Sequence, residues 1–381
     1  MINLNNIRQM MSISIFDLLK RGNPVFSTSC HLEMAIKWLC MAQDNSKDGG
    51  VSEGYHLFHG WLPSYPETTG YIIESFFNYF HLTGDDKIKA RALRMADWLL
   101  SIQNGDGSIP DSYFKKKLVF DTGQVLFGLV RCYEETNEEK YKFAAVKAGD
   151  WLVRVQGKDG SWIKYALGDI PHTYYSRVAS SLLKLHKITI DEKYREAAID
   201  NVEWCLKQQR ENGWFDNASF NIRHHSSPFS HTIAYTFDGI IEAGIYLGEK
   251  RYISAIEKAL DHLLDQFPQN ACIQGSFDCA WRGDTSFSCL TGNAQIAINL
   301  FRLYEQNQKQ DYLNAALKIT GFLKSRHRIR SGDKNVRGAI AGSYPIWGKY
   351  IHFTYPNWAV KFFVDAFLLE EKQTEKMGNR I

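Results

Sequence analysis

The chain has 381 residues, of which 44% are hydrophobic and 23% are charged, as in an ordinary globular protein. Its formal net charge of +3 is too small to indicate a nucleic-acid-binding protein. No apolar run approaches the length needed to span a bilayer, so membrane insertion is not expected.

The seven cysteines indicate a reducing compartment. They are scattered along the chain, odd in number and without a C-x-x-C pair, which is typical of free thiols rather than of a disulfide framework. Residues 1–22 carry Asp17 within a short apolar stretch and show no small-residue cleavage site, so we predict no secretory signal. The expected location is the cytoplasm.

A W-x-x-x-x-Q signature recurs four times and defines the organisation of the chain. The last three copies are 53 residues apart, and each copy is followed by an Asp-Gly or Asn-Gly pair. A fixed period of this length indicates stacked helical units that bury their apolar faces against one another. The copies are Trp38/Gln43, Trp98/Gln103, Trp151/Gln156 and Trp204/Gln209.

Two kinds of helix alternate along this repeat. Amphipathic helices end at the signature glutamines, and more apolar helices are predicted at 70–81, 123–132, 174–186, 234–247, 292–304 and 359–368. The helix at 31–43 has the amphipathic signature but no apolar partner before it, so pairing it with 357–370 closes a ring. The prediction is an all-α (α/α)6 toroid over residues 31–371, with an extension at 1–30 and a tail at 372–381.

The turn after the third signature helix carries a family resemblance. The sequence Gln-Gly-Lys-Asp-Gly-Ser-Trp at 156–162 resembles the Q-W motif of squalene-cyclase and prenyltransferase toroids. The hairpin period is similar to that of six-hairpin glycosidases (unsaturated glucuronyl hydrolases), N-acylglucosamine 2-epimerases and toroidal polysaccharide lyases. The resemblance covers nearly the whole chain and implies the toroid, whereas the chemistry must be sought where the repeats differ.

Polar residues precede a threonine at the start of four successive apolar helices. They are Glu67, Asp121, His172 and His231, and inner-helix starts of a toroid converge on one mouth. Carboxylates and imidazoles together can transfer protons, so these residues, with Tyr174 and Tyr235, are the candidate catalytic set. The threonines could instead cap their helices, and the two histidines could be structural.

A second group of residues is predicted to bind substrate. Arg177 in an apolar ring could bind an anionic substrate group, or it could form an internal salt bridge. Aromatic residues of the long loops could stack on sugar rings or pack against neighbouring loops, and one loop insertion carries His224-His225. The predicted substrate-binding residues are Arg177, Trp281, Arg282, Tyr344, Trp347, Trp358 and His59.

These residues predict metal-independent acid/base chemistry on an oligo- or polysaccharide containing uronic acid, with no cofactor. Two histidines resemble the pair of the sugar 2-epimerases, and His with Tyr and Arg resembles the set of uronate lyases. Asp121-Thr122-Gly123 resembles the catalytic-Asp helix of the unsaturated glucuronyl hydrolases, with Glu67 as the second carboxylate. A terpenoid cyclase is disfavoured because no D-x-D-D motif occurs, and a prenyltransferase because no convincing zinc-ligand set does. A non-catalytic glycan-binding scaffold stays open, as does the oligomeric state.

Overall fold

The computed structural model describes residues 4–113, 115–220 and 227–378, which are almost entirely helical between their loops. The helices are α1 (Leu4–Leu18), α2 (Thr28–Ser46), α3 (Pro66–Thr83), α4 (Asp86–Ile102), α5 (Val119–Thr136), α6 (Glu139–Val155), α7 (Ser176–Thr189), α8 (Glu192–Lys207), α9 (Ser230–Leu247), α10 (Lys250–Asp265), α11 (Leu290–Asn307), α12 (Gln310–Arg326) and α13 (Asn357–Gly378). Five short strands lie in the loops: β1 (Gly54–His56), β2 (Gly60–Trp61), β3 (Ser288–Cys289), β4 (Ser343–Tyr344) and β5 (Thr354–Pro356).

Six helical hairpins form a closed ring, which confirms the predicted (α/α)6 toroid. Helices α3, α5, α7, α9, α11 and α13 pack side by side around the inside, and α13 contacts α3 to complete the circle. The outer helices α4, α6, α8, α10 and α12 each pack on the inner helix that precedes them, and α2 packs on α13. The chain therefore closes its ring with its first and last hairpin helices.

The signature glutamines join neighbouring outer helices. Gln156 Nε2 donates to the Gly160 carbonyl of its own turn at 3.0 Å and to the Ala197 carbonyl of α8 at 2.8 Å. The glutamines at 43, 103 and 209 make the equivalent pair of bonds. The following glycine is also required, because Gly160 has φ +88° and a Cβ there would lie 2.2 Å from the Asp200 carbonyl oxygen. The repeated motif thus fixes the spacing of the outer layer.

Short strands add a second closure at the same end of the ring as the inner-helix starts. Strand β1, which follows α2, pairs antiparallel with β5, which immediately precedes α13. The Asn357 side chain then donates to the Ser52 carbonyl at 2.9 Å and to Thr68 Oγ1 at 2.8 Å. None of the helices in the described residues is long and apolar enough to cross a membrane.

Helices α2 and α13 extend beyond the predicted toroid bounds of 31 and 371, since α2 begins at Thr28 and α13 ends at Gly378. Helix α1, in the predicted extension, is attached to the ring through Asp17. Its carboxylate pairs with Arg328 at 3.2 Å and accepts from the Ile346 amide at 2.9 Å.

Candidate active site

A cavity of about 240 Å³ lies where the first turns of the inner helices meet. Its walls are mostly aromatic, and its polar groups are two carboxyls, one imidazole and several phenols. A concave aromatic cavity with a few convergent polar groups is typical of a small-molecule binding site. The lining residues are Tyr65, Glu67, Tyr71, Leu118, Phe120, Asp121, Leu167, Tyr174, Tyr175, Phe220, Phe229, His231, Tyr235, Tyr350, Ile351 and Trp358.

Glu67 and Asp121 bring two carboxyl groups into this cavity from the first turns of α3 and α5. Burial raises the pKa of Glu67 to about 7, while a hydrogen bond from the Tyr65 hydroxyl opposes this rise by favouring the carboxylate. Burial and the neighbouring charge of Glu67 raise the pKa of Asp121 well above its usual value. In the described part of the chain, Asp121 Oδ2 has no hydrogen-bond partner.

These environments separate the roles of the two carboxyl groups. A pair of buried carboxyls with raised pKa values retains a proton near neutral pH. Asp121 is the better proton holder because burial and the charge of Glu67 outweigh the one backbone hydrogen bond that favours its charged form, whereas the Tyr65 hydroxyl stabilises the charge of Glu67. The pair can therefore hold a proton on Asp121 while Glu67 is ionised.

His231 is the imidazole of the cavity. Its Nδ1 lies 2.6 Å from Gln295 Oε1 of α11, and an amide oxygen only accepts, so this nitrogen carries the proton. Burial lowers the pKa of His231 to about 4, which leaves Nε2 as an unprotonated acceptor. The ring also packs at 4.5 Å from Tyr235 and 5.3 Å from Tyr350. His231 is thus a fixed, neutral hydrogen-bond acceptor.

His172 lies behind the cavity wall rather than in it. Its Nε2 donates to the Leu167 carbonyl at 2.8 Å, and its ring packs 4.7 Å from Tyr174 and 5.3 Å from Tyr175. The structure therefore brings together only part of the predicted catalytic set, and it leaves out Arg177. Glu67, Asp121, Tyr174, His231 and Tyr235 share the cavity, while His172 and Arg177 do not line it.

Arg177 forms an internal salt bridge, which was the alternative to binding an anionic substrate group. Its guanidinium pairs with Asp238 of α9 and donates to Gln124 Oε1 at 3.3 Å. Arg302 also pairs with Asp238 and, at 2.8 Å, with Glu242. This network lines a separate cavity, of about 510 Å³, and not the aromatic one.

The predicted substrate-binding residues of the loops are dispersed. Trp358 lines the aromatic cavity and donates from Nε1 to the Tyr350 hydroxyl at 2.9 Å. Trp281 is buried and donates to the Asn212 carbonyl at 2.9 Å, so it packs between loops. Arg282 is exposed and pairs with Asp278 at 2.8 Å. His59 is exposed beside His56, with ring centroids 4.4 Å apart, and lines no part of the cavity.

Tyr344 and Trp347 line a different groove, on the outer side of the ring. His224 and His225 lie outside the described residues. In the part of the chain that is described, no group of three or more His, Cys, Asp or Glu side chains could hold a metal ion.

Much of the aromatic wall of the cavity was not predicted from the sequence. Tyr65 precedes Glu67 by two residues, and Phe120 precedes Asp121 directly. Their position beside predicted catalytic residues could have indicated that they line the site. Phe120 stacks on Tyr175 at 5.6 Å and meets Tyr235 edge-on at 5.2 Å. Tyr350 comes from the long loop before α13, whose path no local pattern indicates.

No protein-family model matches the chain, and no curated protein matches it in sequence. Solved structures of similar fold do exist. An unsaturated glucuronyl hydrolase specific for heparin superposes with a TM-score of 0.73 at 18% identity, over 91% of this chain and 97% of that one.

Two further structures agree with this comparison. The unsaturated glucuronyl hydrolase from Bacillus sp. GL1 gives a TM-score of 0.71 at 17% identity, over 90% and 97% of the two chains. The enzyme from Streptococcus agalactiae gives 0.69 at 14% identity, over 94% and 95%. At these identities the likeness shows a shared fold, and it agrees with the (α/α)6 toroid described above.

Proposed function

We propose that this protein is a glycoside hydrolase that uses Asp121 as proton donor and Glu67 as proton acceptor. The observation that carries the proposal is the pair of buried carboxyl groups with raised pKa values in one aromatic cavity. Hydrolysis of a glycosidic bond requires a proton delivered to the substrate and a proton removed from water. Two carboxyl groups in different protonation states supply both transfers.

The proposed substrate is a short oligosaccharide ending in an unsaturated uronic acid. Structures of this fold include a glycosaminoglycan-degrading unsaturated glucuronyl hydrolase and a complex with the disaccharide dGlcA-GalNAc6S. The cavity is small, which favours a terminal sugar over the interior of a polymer. A bound uronate would add negative charge beside Asp121, and this charge would help to keep the proton on the donor.

His231 has a supporting role in this proposal. Its unprotonated Nε2 would accept a hydrogen bond from a sugar hydroxyl, and Gln295 holds the ring in the required tautomer. The Tyr174 and Tyr235 phenols, whose pKa values burial raises well above 10.0, stay protonated and would donate to sugar oxygens.

The arrangement gives less support to the epimerase and lyase alternatives. A two-imidazole epimerase would need His172 in the cavity, but that ring is bonded to the Leu167 carbonyl behind it. A uronate lyase would use Arg177 to neutralise the substrate carboxylate, but Arg177 is paired with Asp238. We further propose a cytoplasmic site of action, which the seven free cysteines favour.

The experiment is incubation of the protein with an unsaturated glucuronyl disaccharide and with saturated uronate oligosaccharides in heavy water. We expect loss of the double-bond absorbance together with release of the second sugar. Deuterium at C5 of an uncleaved saturated chain would instead identify an epimerase, and a newly unsaturated end would identify a lyase. Binding of sugars without any reaction would leave a glycan-binding scaffold.

A further inference from the structure

A groove of about 760 Å³ lies on the outer side of the ring, between the end of α12 and the loops before α11 and α13. None of its lining residues also lines the aromatic cavity. The groove is therefore a distinct surface, and the proposed hydrolysis does not use it.

Aromatic side chains form the apolar part of this groove. Trp347 is 37% exposed, and within the described residues its indole stacks on no other ring. Tyr344 is half-buried and meets Phe322 edge-on at 6.0 Å, so its ring is held in place. A large exposed indole beside a fixed phenol is a surface on which a sugar ring can stack.

Positive charge surrounds these rings. Arg326 is held between Phe322 and Tyr344, with its guanidinium 4.6 Å from the Tyr344 ring. It donates to the Arg21 carbonyl and to Ser325 Oγ, both at 3.0 Å. Yet no carboxylate of the described residues lies within ion-pair distance of it, and Lys318 and Lys20 on the same groove are equally without an ion-pair partner there.

The one carboxylate of the groove, Asp17, offsets this charge only in part, because it acts on Arg326 without contacting it. Its own contacts are Arg328 at 3.2 Å and the Ile346 amide. A positioned guanidinium without a contacting carboxylate is a ready partner for a carboxylate or sulfate group.

We infer that this groove is a second binding site, for an acidic oligosaccharide whose ring stacks on Trp347 and whose anionic group meets Arg326. The choice of a sugar as ligand rests on the proposed function, whereas the anionic character follows from the groove's own charges. One loop serves both sites, since Tyr344 and Trp347 line the groove and Tyr350 and Ile351 line the cavity.

The test is calorimetric titration of the full chain with a saturated heparin tetrasaccharide, which carries no unsaturated end. Maltotetraose and inorganic sulfate serve as the neutral and ionic probes. We expect W347A and R326Q each to weaken tetrasaccharide binding about tenfold, as loss of a stacking ring or of charge-assisted hydrogen bonds predicts. K318Q, which changes an exposed side chain, should weaken it about threefold.

Two matched controls remove the same kinds of group elsewhere. F143A deletes an exposed ring on α6, and R195Q an exposed guanidinium on α8, and both should bind like the wild type. Equal affinities for all variants, or sulfate and maltotetraose binding as tightly as the tetrasaccharide, would overturn the inference. Turnover of an unsaturated disaccharide should be unchanged in W347A. A protein that binds with the expected variant pattern but never hydrolyses would refute the proposed function alone.

Discussion

Glu67 and Asp121 occupy the same position in successive repeats, but their neighbours give them different protonation. Tyr65 donates to Glu67 and so favours its charged form, whereas Asp121 is almost completely enclosed, at 2% exposure, beside that charge. The difference arises from one aromatic residue two positions before Glu67. Position in the repeat thus identifies the candidate residues, and their immediate surroundings assign the roles.

The two histidines should respond differently to substitution. We expect H231A to lower kcat/KM by about 10²-fold, because it removes a positioned acceptor from the cavity. H172A should lower stability by about 1–2 kcal/mol, because it leaves the Leu167 carbonyl without its donor and loosens the packing of Tyr174 and Tyr175. Its kcat should change less than tenfold.

Steady-state kinetics and thermal unfolding of both variants make this comparison. A loss of kcat in H172A equal to that in H231A, with unchanged unfolding temperature, would restore a two-imidazole mechanism.

The polar residues at the inner-helix starts could be identified from the sequence, but the contacts that each side chain makes could not. Asp238, the partner of Arg177, lies 61 residues further along the chain, on the next inner helix. The carbonyl that binds His172 belongs to a short loop turn at Leu167. Such partners come from tertiary packing, and no local pattern in a single sequence contains them.

At the scale of the elements, the apolar period gave helix bounds that begin one turn late, although the polar residues of that turn were predicted at the inner-helix starts. The apolar pattern placed the first two inner helices at 70 and 123, whereas α3 and α5 begin at Pro66 and Val119. The missing turns carry Glu67 and Asp121, whose polar side chains face the cavity and interrupt the apolar period. The threonines that follow do not cap these helices; Thr69 and Thr122 accept the amides of Val51 and Ile109 from the preceding loops.

A signature glutamine should contribute more to the free energy of unfolding than a glutamine next to it in the sequence. Gln209 Nε2 donates to the Gly213 carbonyl at 3.2 Å and to the Ala255 carbonyl of α10 at 2.7 Å. Q209A removes both of these hydrogen bonds, each worth about 1 kcal/mol, so we expect the free energy of unfolding to fall by about 2 kcal/mol. The adjacent Gln208 does not join two helices: its side chain donates to the Trp204 carbonyl of its own helix at 3.4 Å and accepts from the exposed Asn217 side chain at 3.1 Å.

Denaturant titration of Q209A and Q208A compares the two positions. Q208A should change the unfolding free energy by less than about 0.5 kcal/mol. Equal effects of the two substitutions would mean that the motif does not hold the outer layer together.

Closure of the whole molecule combines a predicted and an unpredicted contact. The pairing of α2 with α13 followed from an unmatched helix at each end of the repeat. The β1–β5 pairing beside it involves three residues on each strand, too few to give a periodic signal. Trp347 was predicted to bind sugar, but its place in a groove separate from the aromatic cavity was not predicted. The loop that carries Trp347 contributes residues to both sites, and no local pattern indicates this.

A buried histidine pair where α2 meets α13 should make stability depend on pH. His31 and His327 share a hydrogen bond between their Nδ1 atoms at 2.8 Å, and the Phe26 amide donates to His31 Nε2. Burial lowers the pKa of His31 to about 4 and that of His327 to about 3. Below about pH 6.5 both imidazoles become protonated in the unfolded chain but stay neutral in the folded chain. The free energy of unfolding therefore falls as the pH drops.

Unfolding free energies at about pH 7.5 and 5.0 test this dependence. The loss on acidification should be about 2 kcal/mol smaller in H327L than in the wild type, since one such histidine is removed. Glu67 and Asp121 act in the opposite direction, because their raised pKa values stabilise the folded chain on acidification, so the difference between variants is the informative quantity. H262Q, at an exposed position, should behave as the wild type. If H327L loses as much unfolding free energy on acidification as the wild type, then His31 and His327 do not titrate as described.

The most direct test of the hydrolase is the pH dependence of kcat/KM on an unsaturated glucuronyl disaccharide for wild type, D121N and E67Q. The wild type should show a bell-shaped profile, with one carboxyl ionised and the other protonated at the optimum. D121N and E67Q should each lower kcat/KM by about 10²–10⁴-fold, and E67Q should lower the pKa of the remaining Asp121 because the neighbouring charge is gone. Wild-type activity that both variants retain would contradict the account.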